Sequence, residues 1–555
     1  MQGYEFAGKK GIGGISERLP ASTTKILITL GLLTILATFV CGRFILYAFR
    51  EMEAVVTRIP DDTGYFYKIA LNVALGKGLT FDGINETNGF QPLWLYLLLP
   101  LAWAMREAPV DLYLRAALIY QLSLVAIAGI VLFFAMSLYS RRSVAFAATT
   151  LFYIFGIRHF ANGMETGILV LCLSVLLYFS LKYRPFSDSS TSKHAFVFGL
   201  LLGLTVLARL DMVFLLVVIY AFVLWQVLFN TKRADRMHFT NQFLASVFAF
   251  VLVTIPYFVY NKVQFGAVMP ISGQLKNTFP YILQPNFGAD RFPSVVTLAF
   301  ILICVSSLIS VFLFLRSRAA STGQDGYKFT ALLIGSLYVL AHYLHTALFM
   351  KWAVFGWHFA FYFLHACVLF AYILDRFLSY IPTFARRPVA AIVIIALFSV
   401  LVDRTYGAAT TQPRHWQPHS YRAAVWVRNN LPQDARLALK DAGLFGLLSE
   451  RSVVNLDGLV NNLEYQEYLR RKRLNDYFRQ KGIQYLVVHA YWPDAPKYKE
   501  FISATYTHLD IPYRSQLHDT FSDPIRVYRE DEVYRSPIYY DGVHRTVFAI
   551  WRLRL

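Results

Sequence analysis

Charge is scarce in this 555-residue chain. Only 16% of the residues are Asp, Glu, Lys or Arg, against about a quarter in an ordinary soluble domain. With 56% hydrophobic residues, that scarcity excludes both intrinsic disorder and an ordinary cytosolic enzyme. Cysteine is scarce too. Cys41, Cys172, Cys304 and Cys367 all sit in apolar runs, which speaks against a disulfide framework and for small buried hydrophobes. No internal repeat of solenoid period is present. Nor does a small-residue cleavage site follow the first apolar stretch, roughly 26–49. That stretch exceeds the ~7–15 residues of a signal-peptide core and reads as a retained membrane helix, preceded by Lys9, Lys10, Arg18 and Lys25. Acid is scarcer than base, and the formal net charge is +19. In a soluble chain this would point to nucleic acid; in a membrane protein it is an orientation signal.

What the chain has instead is apolar runs of spanning length, about 20 residues. They lie at 25–49, 113–139, 164–182, 212–230, 243–260, 294–315, 329–349, 353–374 and 388–403, with shorter runs at 92–105, 144–157 and 195–208. Charge decides how many cross. With the N-terminus cytoplasmic and 92–105 lying at the interface, eleven helices span. Segments 1–25, 140–143, 182–194, 231–241, 316–328 and 375–388 then face inward with eighteen basic and six acidic residues, as the positive-inside rule requires. Arg141-Arg142, Lys232-Arg233, Arg316/Arg318 and Arg386-Arg387 all fall inside. The +19 is therefore mostly orientation, and no nucleic-acid partner is expected.

This topology predicts a multi-pass protein of the inner or plasma membrane. Residues 1–405 form the membrane domain, with 50–112 as the first outer loop and a second outer loop near 261–293. Residues 406–555 form a mixed α/β domain outside. In that tail, Tyr421–Asn430 and Asn461–Lys481 read as helices, and Arg436–Lys440, Tyr485–His489, Arg526–Tyr528 and Val547–Trp551 as strands.

Five outward clusters carry candidate chemistry. Asp61-Asp62 could supply a general base or ligate a hard cation; capping the helix that follows is the simpler reading. Glu165, with Arg158 and His159 just before it, opens an apolar helix. A membrane-buried ionisable residue implies function, while satisfying the helix dipole is the alternative, and Arg158 and His159 serve equally as interfacial anchors. Arg209 offers a fork for phosphate, or pairs with Asp211. Lys276 and Lys351, with His358, complete the set; a solvated loop lysine and a satisfied core histidine are the plain alternatives. His342/His345 and His358/His365 are spaced three and seven apart without acidic or Cys neighbours, so no metal site is read there. Singly, each cluster is better explained structurally. Together, acids and cations beside a membrane fit a polyprenyl-phosphate-linked sugar.

The order of elements resembles the GT-C superfamily of integral-membrane glycosyltransferases. The acidic pair Asp61-Asp62 is followed by Gly76-Lys77-Gly78, Thr87-Asn88-Gly89-Phe90-Gln91-Pro92-Leu93-Trp94, Gly163-Met164-Glu165-Thr166 and Arg209-Leu210-Asp211. The tail motifs Asp441-Ala442-Gly443 and Leu456-Asp457-Gly458-Leu459-Val460-Asn461 are most similar to the terminal β-(1→2)-arabinofuranosyltransferase branch. The resemblance runs from about Asp61 to Val488. It implies a GT-C fold and inverting transfer from a polyprenyl-phosphate sugar to a glycan, glycolipid or protein. By resemblance, Asp61 is the base, Asp62 supports it and Glu165 is a second acid. Arg158, His159, Arg209 and Lys276 contact the phosphate. Lys351 or His358 stands where relatives carry an arginine. Asp441, Asp457 and Asn461 face the acceptor, with turn formation an equal reading for them. Some relatives use a divalent cation (Mg, Mn or Ca) and others do not; Asp61 and Glu165 are the residues to hold one. A protein or lipid A glycosyltransferase, a lipid-linked sugar flippase, and a receptor or scaffold are the competing readings.

Overall fold

The computed structural model describes residues 21–230, 236–282, 285–287, 292–316, 324–410, 416–491, 498–501, 525–540 and 545–554. Lys9, Lys10, Arg18, Lys232, Arg233 and Arg318 lie outside the described residues.

Fifteen helices build the membrane part. They are α1 (Ala21–Phe49), α2 (Met52–Val56), α3 (Thr63–Ala74), α4 (Pro92–Ala104), α5 (Val110–Ser137), α6 (Arg142–Phe155), α7 (Thr166–Tyr183), α8 (Ser192–Ala208), α9 (Val213–Trp225), α10 (Arg236–Phe265), α11 (Ile271–Lys276), α12 (Ser294–Arg316), α13 (Gln324–Phe349), α14 (Ala360–Tyr380) and α15 (Thr383–Thr410). A π-helical turn, Gly156–Phe160, extends α6. Among the described residues, ten helices are long and apolar enough to cross a membrane. The 17-residue α8 is about 25 Å long, close to the ~30 Å hydrocarbon core. It is the helix that charge parity expects as an eleventh span, and it falls among the shorter apolar helices. The 13-residue α4, about 20 Å, is too short to cross. It buries Trp94, Leu95, Leu98 and Ala102, and the Trp94 indole N–H donates to the Gly163 carbonyl at 3.2 Å.

Packing follows small residues, since lipid supplies no hydrophobic drive between helices. A Cβ on Gly199 of α8 would lie 2.1 Å from the Ser246 carbonyl oxygen of α10, so the two backbones touch. At the end of the bundle away from the tail, Arg141 pairs with Asp375 at 3.0 Å. The expected loop near 261–293 is more ordered than its sequence implies. Helix α10 runs on to Phe265, and α11 then folds against the tail side, where Ile271, Leu275, Trp352 and Leu459 pack together.

The tail begins with α16 (Gln417–Asn430). Then come β1 (Arg436–Leu439), α17 (Gly443–Leu448), β2 (Ser452–Asn455), α18 (Leu463–Arg470), α19 (Leu474–Lys481), β3 (Tyr485–Tyr491), β4 (Tyr498–Phe501), β5 (Ile525–Tyr528), β6 (Glu532–Arg535), β7 (Tyr539–Tyr540) and β8 (Arg545–Arg552). The main sheet is ordered β2-β1-β3-β8-β6, with β7 on β8, while β4 and β5 pair separately. Strands β2, β1 and β3 are parallel, and β8 runs antiparallel to β3. One prediction needs correction: Asn461–Lys481 is two helices. The buried positions are Tyr465 and Leu469, then Leu474, Tyr477 and Phe478. The step of five between Leu469 and Leu474 cannot keep one helix face on the sheet, so the chain breaks at Lys472, whose φ is 55°.

Candidate active site

The site forms where the first loop meets the ends of β1 and β2. In open α/β sheets, ligands bind outside the carboxyl ends of parallel strands. Asp441 lies two residues past the end of β1 and Asp457 two past the end of β2.

Asp61 and Asp62 sit in the turn that starts α3. Asp62 occupies the N-cap position with helical dihedrals and makes no capping hydrogen bond. Asp61 does cap a helix, but not its own. Its carboxylate accepts the N–H of Gly443 at 2.8 Å and of Leu444 at 3.0 Å, the first turn of α17. Glycine makes this approach possible: a Cβ on Gly443 would lie 2.1 Å from the Asp61 carbonyl oxygen. Burial first, and then the Asp441 carboxylate, hold the Asp61 carboxyl well above the usual range, against the two amides that favour its charge. Asp62 is half-buried, and its carboxylate has no hydrogen bond among the described residues. Burial raises its pKa, Lys276 lowers it and Asp441 raises it.

The tail acids are tied to this pair. The backbone N–H of Asp441 (φ 53°) donates to Asp457 at 2.7 Å. The Tyr65 hydroxyl accepts from the Ala442 N–H at 3.2 Å and from the Asn455 amide at 3.0 Å, and that amide also reaches Asp457 at 3.2 Å. Burial raises both Asp441 and Asp457, and Asp441 pushes Asp457 further. Asn461 is spent inside the turn on the Asn455 carbonyl and the Tyr477 hydroxyl, both at 3.4 Å. Of the three expected acceptor residues, Asp441 and Asp457 flank the acidic pair, and Asn461 braces them.

A second polar cluster lies between the helix ends. Arg209, 5% exposed, gives Nε to both Asp211 oxygens at 3.0 Å and Nη1 to the Trp357 carbonyl at 2.7 Å. Its Nη1 is 3.6 Å from Glu165. His342 meets Asp211 at 3.3 Å and the Tyr362 hydroxyl at 3.1 Å. Glu165 stands at the N-cap of α7 without a capping bond and faces Arg209 instead. Burial raises its pKa against the pull of Arg209 and, more weakly, Lys276. Lys276 thus acts electrostatically on both Asp62 and Glu165. Its Nζ has no hydrogen bond or ion pair among the described residues.

The four other expected phosphate contacts have different surroundings. His159 is buried and stacks on Phe363 with ring centroids 4.1 Å apart. His358 accepts the Phe355 N–H at 3.0 Å, bracing its own turn. Arg158 is exposed, and its charged neighbour is Arg58. Lys351 is buried, and its N–H donates to the Lys276 carbonyl at 3.0 Å. For a divalent cation the residues do not fit. Asp61 is bound to two amides and Glu165 faces a guanidinium. Among the described residues no three His, Cys, Asp or Glu converge.

Several residues gain roles that the sequence did not assign. Asn88 accepts the Ile271 N–H at 3.0 Å, Gln91 accepts the Leu210 N–H at 3.1 Å, and Gln121 accepts the Gly163 N–H at 2.7 Å. The first two belong to the Thr87–Trp94 motif, whose Asn and Gln were the available signal.

Comparisons with known proteins agree with this architecture. The family model Domain of unknown function (DUF8728) matches residues 408–534. None of the curated proteins matches the chain. Among solved structures, the archaeal oligosaccharyltransferase AglB from Archaeoglobus fulgidus, in complex with an inhibitory peptide and a dolichol-phosphate, is similar with TM-score 0.54 at 13% identity, over 84% of this chain and 69% of that one. ArnT from Cupriavidus metallidurans bound to undecaprenyl phosphate is similar with TM-score 0.53 at 12% identity, over 88% and 97%. The chain is therefore a multi-pass membrane protein with the GT-C fold and a small C-terminal sheet domain.

Proposed function

We propose that the protein is a glycosyltransferase that moves a sugar from a polyprenyl-phosphate donor to an acceptor hydroxyl, on the side of the membrane that carries the tail. The bond from the anomeric carbon to the phosphate oxygen breaks as the acceptor oxygen attacks from the opposite face. The leaving phosphate takes the electron pair, and a carboxylate takes the acceptor proton. The observation that carries the reading is the division of labour in the acidic pair. Asp61 is bound to α17, whereas Asp62 is left free opposite an unpaired lysine. We assign Asp62 as the base and Asp61 as the clamp, exchanging the roles that the resemblance implied. A raised carboxyl pKa suits a general base working near neutrality. Lys276 is the cation for the leaving phosphate, and Arg209 positions Glu165 rather than the donor. Asp441 and Asp457 line the acceptor side.

The GT-C fold and the two lipid-phosphate-bound neighbours support the donor class. The Asp441–Gly443 and Leu456–Asn461 motifs support an arabinofuranosyl donor and a cell-wall glycan acceptor. Mass spectrometry of lipid that co-purifies with the protein tests this. A polyprenyl-phosphate pentose is expected, a hexose would move the protein to another branch, and a chain without any prenyl-linked sugar, inactive on one added in vitro, would sink the reading.

A further inference from the structure

Helix α1 buries an arginine that nothing accounts for. Arg43 is 4% exposed, and its Nε and Nη1 are buried without a hydrogen-bond partner. Its guanidinium stands over the Tyr47 ring, 5.9 Å from the centroid. A buried charge is costly unless it is paired. The obvious protein partners are used up. At the end of α1, the natural seat for a cation, Arg115 is already placed: its guanidinium donates to the Tyr47 carbonyl and to that of Arg50, just past the helix, at 2.5 and 2.8 Å. Glu53 is bound by Arg422 at 2.6 and 2.7 Å, and Glu51 is exposed.

More positive charge surrounds Arg43. The Tyr47 hydroxyl donates to the Ala161 carbonyl at 2.5 Å, and a Cβ on Gly156 would lie 3.2 Å from the Phe39 ring. Both contacts seat α1 against the π turn that carries Arg158. Arg58, after α2, feels the repulsion of both Arg43 and Arg158. Arg158 is exposed, with no hydrogen bond or ion pair among the described residues. Arg43 and Arg158 thus stand on two packed elements with Arg58 in electrostatic reach of both, and neither Arg43 nor Arg158 has a carboxylate within ion-pair distance among the described residues.

We propose that Arg43, Arg58 and Arg158 form a second anion site, which takes the phosphate of a lipid in the tail-side leaflet and is separate from the transfer site. Arginine forks match phosphate oxygens. Depth supports a lipid over a free ion. Arg43 lies six residues before the end of α1, about 9 Å below it, near headgroup level. Phe44, Ile45 and Phe49 beside it are 39%, 47% and 74% exposed on the outer face of the bundle. Separation from the transfer site rests on what each element touches: α1, with Arg43, seats on the π turn through the Tyr47 contact with Ala161 and the Phe39 contact with Gly156, whereas Asp61 is bound to the first turn of α17. The phosphate has two sources: an anionic glycerophospholipid, or a prenyl monophosphate.

The test uses full-length, delipidated protein in detergent, melted with increasing phosphatidylglycerol, undecaprenyl phosphate or uncharged diacylglycerol. The two phosphate lipids, or one of them, should raise the melting temperature saturably, and diacylglycerol should not. The lipid with the lower half-saturating concentration identifies the source. Arg158→Gln, at an exposed position, should raise that concentration about tenfold, the loss of one charge-assisted contact. Arg43→Gln should melt higher than the parent without lipid, because the unpaired charge is gone, and should lose the lipid response. Asp62→Asn should keep the full response. Equal shifts in the parent and both arginine variants, or no phosphate-dependent shift in the parent, would overturn the proposal. Loss of the response in Asp62→Asn would place the phosphate at the transfer site and overturn it as well. If Arg43→Gln does not fold, Arg158→Gln decides alone.

Discussion

Asp61 holds Gly443 across the gap between the first loop and the tail: the two residues are 382 positions apart in sequence, and the carboxylate accepts the glycine N–H at 2.8 Å. One side chain therefore couples the membrane part to the strand ends where Asp441 and Asp457 stand. Asp61→Asn keeps the shape but turns an NH2 toward one of the two amide donors. The lost charge-assisted bond is worth about 1–3 kcal/mol. Hydrogen exchange across Gly443–Leu448 should accelerate in the variant. Unchanged protection there would deny Asp61 the clamping role. The pH dependence has a definite sign. The Asp61 carboxyl binds its proton more tightly folded than unfolded, so its contribution is complete below the ordinary carboxylate pKa and is lost as pH rises through the raised value. Global stability should therefore fall with rising pH in the parent and stay flatter in Asp61→Asn, as melting temperatures across that range would read.

Asp62→Asn separates chemistry from docking. Asp62 makes no hydrogen bond among the described residues, so the melting temperature should hold within a degree or two. Loss of general-base catalysis costs about 10²–10⁴-fold in rate. Sugar transfer from a polyprenyl-phosphate donor should fall by that factor at saturating donor. Transfer at parental rate would remove Asp62 from the mechanism.

Lys276→Met tests the cation between Asp62 and Glu165. Lys276 favours the charged form of both, so its removal raises the Asp62 pKa further. A base must be deprotonated to act. The acid limb of the rate profile should therefore move to higher pH in the variant. The maximal rate should fall as well, because the leaving phosphate loses its counter-charge. A rate that drops with no movement of the acid limb would leave Lys276 acting on the phosphate only.

How much of this was legible in the sequence depends on the range of each interaction. The spans were legible because bilayer thickness fixes their length. The short run at 195–208 was legible as an apolar helix, the 17-residue α8. Arg209 with Asp211 was legible as a pair because they stand two residues apart. The capping role of Asp61 was legible in kind but not in partner, since α17 is distant in sequence. The surroundings of Arg158 were hidden for a local reason. It lies seven residues before Glu165, but the π turn Gly156–Phe160 and the left-handed Gly163 (φ 88°) turn the chain between them. Arg158 therefore faces Arg58, which feels its repulsion. His342 was invisible as a partner of Asp211, because it comes from α13.

Arg209→Met discriminates a structural hub from a donor contact. A phosphate-binding arginine open to substrate could be removed with little effect on folding. Arg209 instead neutralises Asp211 at 3.0 Å and faces Glu165 at 3.6 Å with 7% of its side chain exposed. Removing one partner of a buried ion pair leaves the other uncompensated and costs about 3–5 kcal/mol. The variant should therefore lose stability together with activity, and Arg209→Met/Asp211→Asn should regain part of the stability because one orphaned carboxylate is gone. If Arg209→Met instead melts like the parent while the KM for the lipid-linked donor rises, the guanidinium is free enough to bind phosphate, and the cluster of Arg209, Asp211, Glu165 and His342 belongs to the donor site itself.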